Sequence, residues 1–349
     1  MLPAGTYNMT YQQDMAIVRT RFQWVAFIAF FILLFTMPLY LRDHWLGIVN
    51  TIGITLIAVL GLNILTGYCG QISIGQAAFV AVGAYTAAIM GKNFGLSAWA
   101  TLPISALSAG VIGLIFGLPA LRVKGFYLAM TTLAAQFIIT YFFKHGGSFT
   151  GGIIGIEVAR PVLFGMTING EKKFFFLIMF FAIAMTFFAK NIVRTRAGRA
   201  FVAVRDNDLA AEVLGINLAY YKLLAFFICC VFAGVAGWLK VYYIGYALTD
   251  HYPFMDSIWW LGMLIVGGMG SITGAIFGTT FFILLWEGVA VWSPMLGDAF
   301  PGIAGQIFAS LGLILTGLVI ALFIALEPRG IHHRWELFKL YYRLLPFSY

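Results

Sequence analysis

A chain of 349 residues in which 62% are hydrophobic and only 10% are charged is not a water-soluble globule, because soluble domains carry about 25% charged residues. A mean hydropathy of +0.94 makes it an all-α, polytopic integral membrane protein, with room for about ten helices of roughly 20 apolar residues each. The net charge of +8 does not point to nucleic acid, since most basic residues flank apolar runs, as orientation in a membrane requires.

The first 21 residues are polar and form a tail. The first apolar run, 22–41, is too long for a signal-peptide core and lacks a small-x-small exit, so it is expected to persist as a helix. Further runs follow at 46–66, 76–91, 97–120, 125–143, 173–190, 221–243, 257–268, 272–292 and 302–326. Alternation through ten spans from a cytoplasmic N-terminus leaves fourteen Lys and Arg residues on inner-side segments. Six fall outside: Arg42, Lys92, Lys144, Arg160, Lys172 and Lys173. This positive-inside bias predicts ten spans with both termini in the cytoplasm. Lys240 alone falls inside a predicted span, near its outer end, where its long side chain is expected to snorkel to the surface.

The loop after the second run, "NILTGYCGQISIGQAAF", is unusual for such apolar surroundings. Its glycines Gly67, Gly70 and Gly75 permit a broken backbone, which survives at membrane depth only where protein or a water-filled cavity satisfies it. Asn63, Gln71, Ser73 and Gln76 here, with Thr131, Thr132 and Gln136 in the fifth run, have two readings. They line a substrate passage, or they are interhelical hydrogen bonds worth about 0.6 kcal/mol each. A partial echo, "GMGSITGAIF" (268–277) against "GQISIGQAAF" (70–79), is either an internal repeat or chance. Cys69, Cys229 and Cys230 have no metal-type spacing and read as small packing residues.

Two hydrophilic loops are substantial. The glycine-rich one at 144–172 is outside by parity, and the one at 191–220 is inside. The segment 327–349 places Trp335, Phe338, Tyr342 and Leu345 on one helical face and Glu336, Lys339 and Arg343 on another, which suits a helix lying along the inner membrane surface. Catalytic constellations are missing: there is no His-Glu-x-x-His, no Gly-x-Ser-x-Gly elbow and no Walker-type loop. Glu287 is the one acid well inside a predicted span. A central charge costs roughly 2.5–3.5 kcal/mol, so a place near the outer interface is the better reading.

Within 191–220, Asp206, Asn207 and Asp208 supply helix N-cap chemistry, the run 209–214 follows, and Gly215 offers a left-handed stop. Leu209 and Val213 share a face. Such a short capped helix suits either a docking knob or an ordinary re-entry turn. The loop resembles the coupling loop of ABC importer permeases, whose Ala-Ala-x-x-x-Gly pattern is met by Ala210, Ala211 and Gly215. The acidic residue that classically precedes the alanines is displaced: Leu209 stands there, and Asp208 is one place early.

The blocks 61–89, 121–137, 149–156, 200–237 and 264–278, with the ending "YYRLLPFSY", are similar in order and spacing to the permeases of branched-chain amino acid ABC importers, of the LivM type. The resemblance implies a permease domain at 22–326 that is no enzyme and needs no cofactor of its own, ATP being bound by partners. It implies a second, LivH-type permease, two ATPase subunits, a periplasmic binding protein and residence in a bacterial inner membrane. Arg205, Asp208, Ala210, Ala211, Glu212 and Gly215 would then couple the chain to its ATPases. Branched-chain amino acids are the implied solute. Urea, short amides and aromatic or aliphatic carboxylates, carried by relatives, are the alternative, and a stand-alone secondary carrier is a remote one.

Overall fold

The computed structural model describes residues 21–121, 125–163, 166–299 and 304–344. Most of the N-terminal tail, Arg122, Lys124 and the last five residues, Leu345 among them, lie outside the described residues. Helices α1 (Arg21–Tyr40), α2 (Asp43–Leu62), α3 (Gln76–Phe94), α4 (Ala98–Ala120) and α5 (Phe126–His145) come first. A single turn, α6 (Gly147–Thr150), precedes α7 (Glu171–Arg194), α8 (Arg196–Asp206), α9 (Asp208–Val213) and α10 (Leu218–Ile244). The chain continues through α11 (Phe254–Gly267), α12 (Ile272–Ala299), α13 (Ala304–Leu326) and α14 (Gly330–Leu344).

All ten apolar runs fall on helices. Among the described residues, five are by themselves long and apolar enough to cross a bilayer: Asp43–Tyr68, Ala98–Pro119, Glu171–Arg194, Leu218–Ile244 and Ile272–Trp292. The end of α13 with α14, bent by 47°, makes a sixth. Of the remaining helices, α3 has 19 residues and begins buried at Gln76, whereas α11 has 14 and starts at the partly exposed Phe254.

The core is built around α10, which packs against α2, α3 and α4. Without a hydrophobic drive between helices in lipid, close association relies on small residues that let backbones approach. A Cβ on Gly83 of α3 would lie 2.5 Å from the Cα of Gly234 on α10, so the two backbones are in direct contact. In the C-terminal part of α10, Trp238 donates from Nε1 to the Ala98 carbonyl (2.9 Å) and to Thr101 Oγ1 (3.1 Å). Gly245 ends α10 in a left-handed turn. Two short antiparallel strand pairs trim this side, Ile156–Glu157 with Tyr246–Ala247 and Val162–Leu163 with Met166–Thr167.

Two charged residues differ in setting from each other. Glu287 Oε1 lies 2.8 Å from Nε2 of His44, at the start of α2. Lys240 is held by the loop that follows α10. Its Nζ donates to the His251 carbonyl (2.7 Å), lies 3.5 Å from Asp256 and sits 4.8 Å from the centre of the Tyr252 ring. At the C-terminus, the helix expected from the amphipathic pattern is present as α14, and His332 Nδ1 on it meets Thr273 Oγ1 of α12 at 2.7 Å.

Candidate functional site

The chain between α2 and α3 breaks in two stages. First, α2 gives way to a π-helical turn over Asn63–Tyr68, every residue of which is buried. Such wide turns are rare and concentrate at functional positions. The segment 69–75 then turns back along α2, and the N–H of Gln71 donates to the Leu65 carbonyl at 3.0 Å. By Gln76 it has returned to the level of Ala58, whose carbonyl accepts from Gln76 Nε2 at 3.1 Å. Ala58 lies ten residues before Tyr68, about 15 Å along the axis at 1.5 Å per residue. The segment is therefore re-entrant, and α3 starts deep inside the protein.

A buried helix start leaves several backbone N–H groups without helical partners. Here they are met by side chains from other helices. Thr132 Oγ1 accepts from Ile74 N (3.0 Å), Ser257 Oγ from Ala77 N (2.8 Å) and Gln136 Oε1 from Ala78 N (2.8 Å). Gln136 also donates from Nε2 to the Tyr252 carbonyl at 3.3 Å. Since Ser257 lies in the first turn of α11, the beginnings of α3 and α11 meet at this point. Gly75 permits the close pass, because a Cβ there would sit 2.3 Å from the Thr132 carbonyl oxygen.

The echo segment proves to be a second break that touches the first. Residues 268–271 turn α11 into α12, with Gly268 and Gly270 at φ of 111° and 75°. Asn63 grips this turn with both ends of its amide: Oδ1 accepts from Gly270 N (3.0 Å) and Nδ2 donates to the Ser271 carbonyl (2.9 Å). A Cβ on Gly67 would stand 2.4 Å from the Gly270 nitrogen, so only glycine fits. The two segments differ in form, however. The first runs extended for several residues, whereas the second is a tight turn in which Ser271 Oγ accepts from Gly274 N at 2.8 Å.

The loop 191–220 follows the expected chemistry and adds a helix to it. Thr195 Oγ1 caps α8, an amphipathic helix that buries Phe201 and Val204 and that the sequence pattern alone did not reveal. Asn207 Oδ1 caps α9 by accepting from Ala210 N at 3.1 Å, and Gly215 follows at φ 83°. On α9, Ala211 is buried, while Ala210 and Glu212 are exposed. Leu209, Val213 and Leu214 are 68%, 88% and 79% exposed. Asp208 lies 3.7 Å from Lys222 of α10. Arg205, the last basic residue of α8, turns inward: Nη1 donates to the Gly67 carbonyl at 3.0 Å, and Nε and Nη2 donate to Asp206 Oδ1 at 3.0 and 2.9 Å.

The structure thus gathers the predicted polar residues into one assembly but gives them different tasks. Asn63, Thr132 and Gln136 bind backbone at the two breaks. Gln76 is fully buried, and its Oε1 accepts from Cys229 Sγ at 3.1 Å. Thr131 bonds only its own helix, at the Tyr127 carbonyl. Gln71 and Ser73 stand apart, because among the described residues Gln71 Oε1 and Ser73 Oγ are buried without a hydrogen-bond partner. Gln71 lines a cavity of about 340 Å³ with Arg205, Asp208, Lys222 and Leu128, between the first break and the cytoplasmic loop. Burial pushes the thiol of Cys69, on the same cavity, up to about 12 against the opposing pull of Lys222. Ser257 and Ser271 were not foreseen. The echo at 268–277 was the one signal that could have drawn attention to Ser271, and Ser257 carried none.

Residues 45–324 match the family model described as the branched-chain amino acid transport system / permease component. The chain belongs to that family. This permease is 30% identical to the high-affinity branched-chain amino acid transport system permease protein LivM of Escherichia coli, over 74% of its own length and 67% of that protein. It is 30% identical to LivM of Salmonella typhimurium over 67% of its length, and there it spans 61% of the relative. A probable LivH permease of Methanocaldococcus jannaschii is 24% identical over 73% of the chain and 81% of the relative. No solved structure matches the permease.

Proposed function

We propose that this permease is one transmembrane subunit of an ABC importer that takes up branched-chain, hydrophobic amino acids by ATP-driven alternating access. The observation that carries the reading is the capped helix α9. Its apolar residues Leu209, Val213 and Leu214 face outward from a polar loop, and such a surface asks for a protein partner. That partner is one of two cytoplasmic ATPase subunits, which supply the ATP binding this chain's sequence does not offer. A second, LivH-type permease completes the pathway, and a periplasmic binding protein delivers the solute. The charge bias of the loops supports ten spans with both termini in the cytoplasm of a bacterial inner membrane, α3 and α11 being counted as spans broken at re-entrant segments.

The glycines and amides of the two breaks offer backbone and amide groups rather than fixed charge, which suits a zwitterion with an apolar side chain. Reconstitution of the permease pair with its ATPases and binding protein in liposomes tests the reading. ATP-dependent uptake of leucine, isoleucine or valine that is lost when Ala211 is replaced by Trp, with the permease still inserted, is the expected result. Uptake by this chain alone on an ion gradient would overturn it.

A further inference from the structure

Arg205 occupies a position that docking of a partner does not require. Its side chain leaves the exposed loop and enters the junction of the two helix breaks. Nη1 holds the Gly67 carbonyl at 3.0 Å. A Cβ on Gly70 would lie 2.8 Å from Arg205 Cγ, and one on Gly270 would lie 3.1 Å from Nη1, so the side chain runs over one break and ends against the other. The second side of the guanidinium is fixed by Asp206. Two residues further on, Asn207 caps α9.

We propose that Arg205 is a positioning residue that transmits displacement of α9 to the π turn Asn63–Tyr68 and, through the Asn63 grip, to the turn at Gly270–Ser271. The physical argument rests on stiffness. The path from α9 to Arg205 is three residues of capped helix ends, with no flexible linker in it. The path beyond ends on the Gly67 carbonyl in a π turn, a form that is rare and concentrates at functional positions. Gly67, Gly70 and Gly270 bring the two breaks and Arg205 into direct contact with no side chain between them, so displacement of one is passed to the next. Arginine suits the task better than lysine, because its planar fork holds Gly67 and Asp206 at once.

The inference rests on the ABC-importer reading above, and its test is chosen to separate the two. In the reconstituted importer, Arg205→Ala and Arg205→Lys are compared with Arg199→Ala, a change on the same helix outside the junction. Uptake and ATP hydrolysis are measured together, and hydrogen exchange of residues 63–71 and 208–215 is followed with and without ATP. The expected result for Arg205→Ala is at least a tenfold rise in ATP consumed per solute imported. The ATP-dependent change in exchange at 63–71 should vanish while that at 208–215 remains. Arg205→Lys should fall between it and the wild type, and Arg199→Ala should match the wild type. Parallel loss of uptake and hydrolysis, or an exchange response at 63–71 that survives in Arg205→Ala, would overturn the proposal. The exchange measurement needs no solute. Failure of the wild type to take up branched-chain amino acids would therefore count against the substrate and leave the Arg205 test standing.

Discussion

Asn63 and Gly270, 207 residues apart, are joined by a 3.0 Å hydrogen bond from the Gly270 N–H to the Asn63 amide oxygen, while the other end of the amide holds Ser271. The pair ties two helix breaks together. Asn63→Leu leaves the partly buried Gly270 N–H and Ser271 carbonyl without their partner, at a cost of about 1 kcal/mol each. Thermal unfolding of purified protein in detergent should show a large loss, with faster hydrogen exchange at Gly270. Asn63→Asp keeps the acceptor and should lose less. Equal stability of Asn63→Leu and wild type would contradict the assignment.

Gln136 is expected to act as a remote cap. Its Oε1 meets the Ala78 N–H at the buried start of α3, so Gln136→Leu should cost about 0.5–2 kcal/mol, the range for a lost N-cap. Gln136→Glu keeps an acceptor at the same reach and should retain part of the stability. If instead Gln136→Leu changed transport without changing stability, a role in lining the passage would be favoured over capping.

Contact between Gly83 and Gly234 leaves no space for a side chain. Gly83→Ala forces α3 and α10 apart and should destabilise by about 1–3 kcal/mol, as overpacking does. Gly288 on α12 has nothing within 4 Å of a built Cβ, so Gly288→Ala serves as the comparison and should unfold at the wild-type temperature or slightly above.

Cys69 should be slow to react. With its thiol titrating near 12 against 9.0 for an unperturbed cysteine, it remains neutral at pH 7.5, and the thiolate is the reactive species. Maleimide labelling of a variant carrying only this cysteine should be slow until the protein is unfolded in detergent. The sign of the linkage follows from the raised value. The contribution to stability is complete below pH 9 and is lost as pH rises toward 12, so alkaline unfolding should be eased when Cys69 is present and less so in Cys69→Ser. Fast labelling of the folded protein at pH 7.5 would show the thiol to be accessible.

The sequence by itself determined the ten helical runs, because each is a long local stretch that must be apolar and hydrogen-bond its own backbone in lipid. It also determined α9, since Asn207 and Gly215 act on their immediate neighbours and their cap chemistry is written within a few residues. Only the tertiary structure shows which groups the polar residues of the break bond to. Whether Gln136 faces a solute or the N–H of Ala78 depends on how α5 is turned against α3, and that is set by packing across the whole core. Lys240 shows the same limit: its partners, Asp256 and the His251 carbonyl, are brought to it only by the fold of the chain after α10. The links from Arg205 to Gly67 and from Asn63 to Gly270 span 138 and 207 residues. No local pattern encodes such pairs, because they exist only once the two glycine breaks have been folded against each other.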